Sequence, residues 1–162
     1  PPSRRWCNNS PRSRRAPSRR RCLPSRPSRQ PRPSRSRSRR RALQAVYAWQ
    51  LSSTPVEKVL EQFSSEQDME IADLAYFEDL VRGVIRGHKE LDQALSIYVD
   101  RPMEQVDPIE RAVLRLAAFE LRDRLDVPYR VIINEAIEIA KRFGSDHGHT
   151  YVNGVLDLAA GQ

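Results

Sequence analysis

From Val127 to Leu158 the chain reads VPYRVIINEAIEIAKRFGSDHGHTYVNGVLDL, and its apolar residues return at spacings of three and four. Val131, Ile132, Ala136, Ile139, Ala140 and Phe143 make a stripe that a helix can bury on one side and a strand cannot. Pro128 suits the first helical turn, where its missing N–H has no intrahelical partner to lose. Lys141 and Arg142 fall in the last turn, at the negative end of the helix dipole. Gly144 follows at the position that favours a left-handed residue. Ser145 or Asp146 would cap a second helix running through Tyr151-Val152-Asn153-Gly154-Val155-Leu156-Asp157. The segment therefore predicts two helices joined by a tight stop.

The same period governs the chain upstream. A first helix is expected from about Ser36 to Leu51, with Leu43, Val46, Tyr47 and Gln50 along one face. Thr54-Pro55-Val56-Glu57 reads as a capping box with proline at the first helical position, and Val56, Val59, Leu60 and Phe63 form the stripe behind it. A third helix begins near Glu70 and carries Ile71, Leu74, Phe77, Leu80, Val81, Val84 and Ile85. It extends through Leu91, Leu95 and Tyr98 unless Gly83 and Gly87 break it. Arg101-Pro102 ends that run, because the residue before proline is driven from helical angles. Asp107-Pro108-Ile109-Glu110 repeats the cap and opens a helix to about Arg124, seamed by Ile109, Val113, Leu116 and Ala117. With no sustained alternation, the expected fold is all-α: one domain of about six or seven helices in two packed bundles.

Charge divides the chain. Residues 1–41 hold sixteen Arg, nine Ser and eight Pro with no acidic residue, while the rest holds twelve Lys and Arg against all twenty-one Asp and Glu. The overall +7 thus hides an acidic body. A segment with so little to bury is expected to be a disordered basic arm, placed at residues 1–35 before a domain at 36–162. Three readings of the arm stand side by side. It is an RNA-binding arm, a transit peptide of unusual proline content, or sequence read in a shifted frame of a GC-rich gene, since no initiating Met is present.

Composition also excludes several functions. Both cysteines, Cys7 and Cys22, lie in the arm, so the body offers neither a disulfide framework nor a thiolate metal site, which suits the cytoplasm. No run of eighteen apolar residues offers a membrane span. His147 and His149 beside Asp146 diverge on a helix, because ligands sharing a face need spacings of three or four. His88 has no partner, and Gly83 and Gly87 lack the strand, lysine and hydroxyl of a phosphate loop. No enzyme, metal site or cofactor is expected.

The NEAIEIAKRFG and VNGVLD segments resemble the NusB family of transcription antitermination factors. Arg39-Arg40-Arg41-Ala42-Leu43-Gln44-Ala45-Val46-Tyr47-Ala48-Trp49-Gln50-Leu51 resembles that family's opening helix. Ile109 to Ala117 resembles its central helix, and Asp126-Val127-Pro128-Tyr129 the turn after it. Together these span about residues 39–160. The resemblance implies two three-helix bundles and binding of boxA, a single-stranded element of nascent ribosomal RNA transcripts, together with the ribosomal protein NusE in the elongation complex.

Arg37, Arg39, Arg40 and Arg41 are the candidate phosphate contacts, and Gln44 and Tyr47, one turn apart, the candidate base contacts. The resemblance adds Tyr98 and Tyr151 as RNA-facing aromatics, although each is equally explained by packing at the core margin. It also places Glu110 near a partner surface. An acidic body suits a basic partner, with Asp107, Glu110 and Glu120 as its candidate face and Asp73 and Glu78 of similar type. Trp49 is assigned to the core, and Asn134 and Asn153 to structural bonds with a neighbouring turn. Alternative functions are the RNA-binding appendage of an rRNA cytosine methyltransferase and a homodimeric helical interaction module.

Overall fold

The computed structural model describes residues 34–65 and 72–161. Six α-helices follow one another: α1 (Arg35–Ser52), α2 (Val56–Ser64), α3 (Leu74–Leu95), α4 (Pro108–Asp123), α5 (Tyr129–Phe143) and α6 (Gly148–Ala160), with a 3₁₀ turn at Met103–Gln105 before α4. No strand occurs among the described residues; Ser34 and Ala72 form a single isolated bridge. Helices α1–α3 pack as one three-helix bundle and α4–α6 as a second, and α4 lies against both α1 and α3. The core runs unbroken through the two, from Ala42, Leu43 and Val46 through Phe77 and Leu80 to Leu114, Ile132 and Leu156. The expected arm and the expected start of α3 at Glu70 and Ile71 lie outside the described residues. Ser34 and Arg35, assigned above to the arm, belong to the fold, because Ser34 caps α1 and Arg35 is its first residue.

Local signals succeed where a side chain has no better partner. Asp107 caps α4 by accepting from the N–H groups of Ile109 and Glu110, with Pro108 at the first position. The similar Thr54-Pro55 segment does not form its box. Pro55 itself stands at the cap position without a side-chain bond, and the Thr54 hydroxyl lies 2.7 Å from that of Ser52. Gly144 is extended, at φ −84° and ψ −175°, rather than left-handed. Neither Ser145 nor Asp146 caps α6, whose cap position is His147 without a side-chain bond. Ser145 is drawn elsewhere, its hydroxyl donating to Glu110 Oε1 at 2.7 Å. Val131, counted in the α5 stripe, is exposed, and Ile133 is buried in its place.

Gly83 does not break α3, which is continuous through both glycines and ends at Leu95. A Cβ at residue 83 would lie 2.1 Å from Phe119 Cε2, so the glycine lets α3 and α4 approach across that ring. Two polar ties reinforce the packing. Arg115, nearly buried on α4, donates to Asp92 on α3 at 2.8 and 2.6 Å and to Gln50 on α1 at 2.8 Å. Gln50 in turn donates to the Pro108 carbonyl at 2.8 Å. Trp49 packs against the core margin, edge-on to His88 with ring centroids 5.0 Å apart.

Candidate nucleic-acid interface

Helical geometry splits the arginines at the start of α1 between two faces. Residue 39 lies three, four and seven positions before the buried Ala42, Leu43 and Val46, and so points with them into the protein. Arg39 is 5% exposed, and its guanidinium meets Glu120 of α4, with Nε 3.0 Å from both carboxylate oxygens. Nη2 also donates to the Tyr76 hydroxyl at 2.8 Å, and that hydroxyl donates to Glu120. Burial opposes the charge on Arg39, but the hydrogen bond and the attraction of Glu120 outweigh it and hold the pKa above its ordinary value. Burial, then the bond to Glu120, pushes the Tyr76 phenol up. Arg35, one turn earlier, and Arg124 both pair with the Asp126 carboxylate and lie over the Tyr76 ring, each 4.7 Å from its centroid.

Two sequence expectations change here. Arg39 is no free phosphate contact, and Glu120, 2% exposed, is no part of a partner surface. Each is the other's counter-ion, because an unpaired charge at such depth is far costlier than a paired one. Glu135, within the recognised α5 segment, has a related role. It accepts from the Ser36 hydroxyl at 2.8 Å and lies 3.7 Å from Arg39 Nη1, tying α5 to the first turn of α1.

Arg37, Arg40, Arg41 and Gln44 share the outward face of α1. They line a hollow of about 330 Å³ with Arg142 and Phe143 from the end of α5. Arg41 Nη1 donates to Gln44 Oε1 at 2.7 Å, which sets the amide against the cationic wall. Tyr47 is half-buried one turn beyond and does not line this hollow. In the sequence Arg142 and Phe143 mark only a helix end and a stripe residue. Their distance along the chain from residue 37 conceals that they face α1.

A second hollow, of about 170 Å³, gathers Tyr151, Glu110 and Asp107 with Arg101, Ser145 and His147. The Arg101 guanidinium sits 5.5 Å from the Tyr151 ring centroid, and the Tyr151 hydroxyl donates to Asp100 at 3.3 Å. Glu110 is 8% exposed, held by Ser145 and given room by Gly148, whose Cβ would stand 2.3 Å from Glu110 Oε1. Only Asp107 of the three proposed partner acids is exposed, and its carboxylate is engaged as the α4 cap. Tyr98 packs at the core margin and lines neither hollow. Asn134 and Asn153 do not make the structural bonds expected of them: both line a groove between α5 and α6, and neither amide is hydrogen-bonded among the described residues.

Two exposed carboxylates give the fold an acid sensitivity. The hydrogen bond from Arg124 holds Asp126 at about 2, and that from Arg101 holds Asp100 at about 2. Folding therefore keeps them charged where the unfolded chain, near the ordinary value of about 4, would protonate. Their stabilisation is complete above about pH 4 and disappears as the pH falls toward 2. Urea unfolding at pH 7, 4 and 2.5 measures it, and Asp126→Asn should reduce the loss between the last two. An identical loss in the variant would show that Asp126 is not coupled to folding.

A pair of three-helix bundles, with a cluster of arginines on the outward face of α1, defines a small all-helical protein. The NusB family model matches residues 36–160. The transcription antitermination protein NusB of Xanthomonas axonopodis pv. citri is 70% identical over 126 residues, covering 78% of this chain and 79% of that protein. That of Stenotrophomonas maltophilia K279a is 67% identical over the same share of each. The solved structure of T. maritima NusB superposes with a TM-score of 0.72 at 32% identity, covering 81% of this chain and 93% of that one. A crystal structure of the antitermination factors NusB and NusE with dsRNA shares the fold at 22% identity and a TM-score of 0.63, over 77% and 94% of the chains. The chain belongs to the NusB family of transcription antitermination factors.

Proposed function

We propose that the protein binds a boxA-type single strand of nascent ribosomal RNA through the outward face of α1 and does so with NusE, within the cytoplasmic elongation complex. The observation that carries this reading is the division of the arginine run. Arg39 is consumed by the interior and Arg35 pairs with surface carboxylates, whereas Arg37, Arg40 and Arg41 line a hollow with Gln44 that no carboxylate lines among the described residues. Guanidinium groups fork onto phosphate oxygens, and a primary amide reads a base edge. Tyr151, half-buried at the second hollow, supplies a ring for an unpaired base. The similar NusB and NusE factors solved with dsRNA support RNA and NusE as the partners. The acidic remainder of the domain suits a basic partner, which would also offset its repulsion of RNA.

Changing Arg37, Arg40 and Arg41 together to Ala in the full chain tests the site. Affinity for a boxA-type single strand, measured against unrelated competitor RNA, should fall by about one to two powers of ten. The slope of log affinity against log salt should flatten by about 2, at roughly 0.7 for each phosphate of a single strand that is no longer neutralised. Unchanged affinity and slope would remove the site. A duplex of the same sequence should bind more weakly, and NusE should tighten the single-strand complex.

A further inference from the structure

The basic hollow needs α5 to close it. Arg142 and Phe143 form its far wall, with the Arg142 guanidinium 5.5 Å from the Phe143 ring centroid. Guanidinium groups from Arg37, Arg40, Arg41 and Arg142 therefore border one space of about 330 Å³ that no carboxylate lines among the described residues. Many of the protein's other arginines are held by carboxylates. Arg35, Arg39, Arg101, Arg115 and Arg124 each stand within 4.0 Å of a carboxylate. Lys141, the residue before Arg142, is paired with Glu138 at 2.9 Å. Among the described residues neither Arg142 nor its neighbours Arg37 and Arg40 form an ion pair.

Position alone explains part of this. A cation in the last turn of α5 is favoured by the helix dipole. That accounts for a charge at residue 142, but not for its convergence on the cations of α1, since like charges gathered around one space repel. An anion from outside the chain removes that repulsion. Phe143 adds a half-buried aromatic ring, packed against the core, at the rim, and the volume falls at the lower end of the roughly 300–1,000 Å³ of small-ligand clefts. The chain also continues directly from this corner through Ser145 and His147 into the hollow beside Tyr151. A strand leaving α1 toward Tyr151 would cross Phe143.

We propose that the Arg142–Phe143 corner is a nucleotide subsite of the RNA interface, in which Arg142 is a fourth phosphate contact and Phe143 stacks on an unpaired base. The inference rests on the RNA-binding reading of α1 and deepens it. It places on α5 a contact that couples the second bundle to the strand held by the first. The two side chains act through different physics, so they give different signatures. Removing a cation that neutralises a phosphate flattens the salt dependence, whereas removing a stacking surface lowers affinity at every salt concentration alike.

The full chain with Arg142→Gln, Phe143→Leu or Phe143→Tyr is titrated by fluorescence anisotropy with a synthetic boxA-type single strand across a salt series. Arg86→Gln, at an exposed site on α3, serves as the charge control. Arg142→Gln should bind about tenfold more weakly with the slope flattened by about 0.7. Phe143→Leu should bind about five- to tenfold more weakly with an unchanged slope, and Phe143→Tyr, which keeps the ring, should bind like the parent. Melting curves identify any variant that has merely lost its fold. A loss of affinity in Arg142→Gln with the parental slope would mean a structural role and overturn the phosphate contact. Parental binding by Arg142→Gln and Phe143→Leu, while the triple α1 variant loses RNA, would overturn the subsite and leave the α1 reading intact. Parental binding by the triple variant as well would overturn both.

Discussion

Replacing Glu120 with alanine will lower the melting temperature by more than about 10 °C. The substitution leaves the buried Arg39 without its hydrogen-bonded carboxylate, and removes the acceptor of the Tyr76 hydroxyl. Breaking one side of a buried pair costs about 3–5 kcal/mol, and a domain of this size loses several degrees for each. Removing both partners is a different experiment. Arg39→Met with Glu120→Leu replaces a paired charge by apolar volume and should recover most of the loss. The double variant should also keep its affinity for the boxA-type strand, which it could not do if Arg39 were a phosphate contact. Thermal melting by circular dichroism measures the first effect and anisotropy the second. A single variant as stable as the parent would mean that the pair has no part in holding α1 against α4.

Gly83→Ala and Gly154→Ala are chemically the same change, and the structure gives them opposite signs. Alanine ordinarily improves a helix interior by about 0.5–1 kcal/mol over glycine. At residue 154 nothing lies within 4 Å of the added carbon, so that gain should appear in full. At residue 83 the carbon would fall 2.1–2.8 Å from three atoms of the Phe119 ring, itself 6% exposed and without room to retreat. Overpacking of this kind costs about 1–3 kcal/mol, so Gly83→Ala should destabilise despite its better propensity. Urea midpoints of the two variants compare them directly. A Gly83→Ala protein more stable than the parent would show that α3 and α4 can part at little cost.

The helices were legible because their apolar spacing reports a face that must be buried, which holds whatever that face meets. Caps were less legible, because a hydroxyl or carboxylate takes the best partner in three dimensions. Asp107 found only its own helix, whereas Ser145 found Glu110 and Thr54 found Ser52. Gly83 read as a possible break because the ring that needs the space belongs to residue 119, far along the chain. The arginine run carried a signal that a simple count of positive residues ignores. Position 39 continues the stripe of Ala42, Leu43 and Val46 and could have been assigned inward from spacing alone. That its counter-ion would be Glu120 was beyond reach, as was the meeting of Arg142 with Arg40, since both depend on how α4 and α5 lie against α1.

The first turn of a helix is ordinarily where it frays, because its leading N–H groups lack partners. In α1 that turn is clamped instead. Ser34 caps it, the Ser38 hydroxyl donates to the Asp73 carbonyl at 2.8 Å, Ser36 reaches Glu135, and Arg39 is locked in the interior. Arg37, Arg40 and Arg41 thus stand on the outward face of a backbone that is already ordered. A strand arriving at this face would have to still only the side chains, and the entropy lost on binding would be smaller by the backbone share, of order 1–2 kcal/mol per residue. On the proposed RNA-binding reading, the interior Arg39 is in this sense what holds its neighbours ready for a strand.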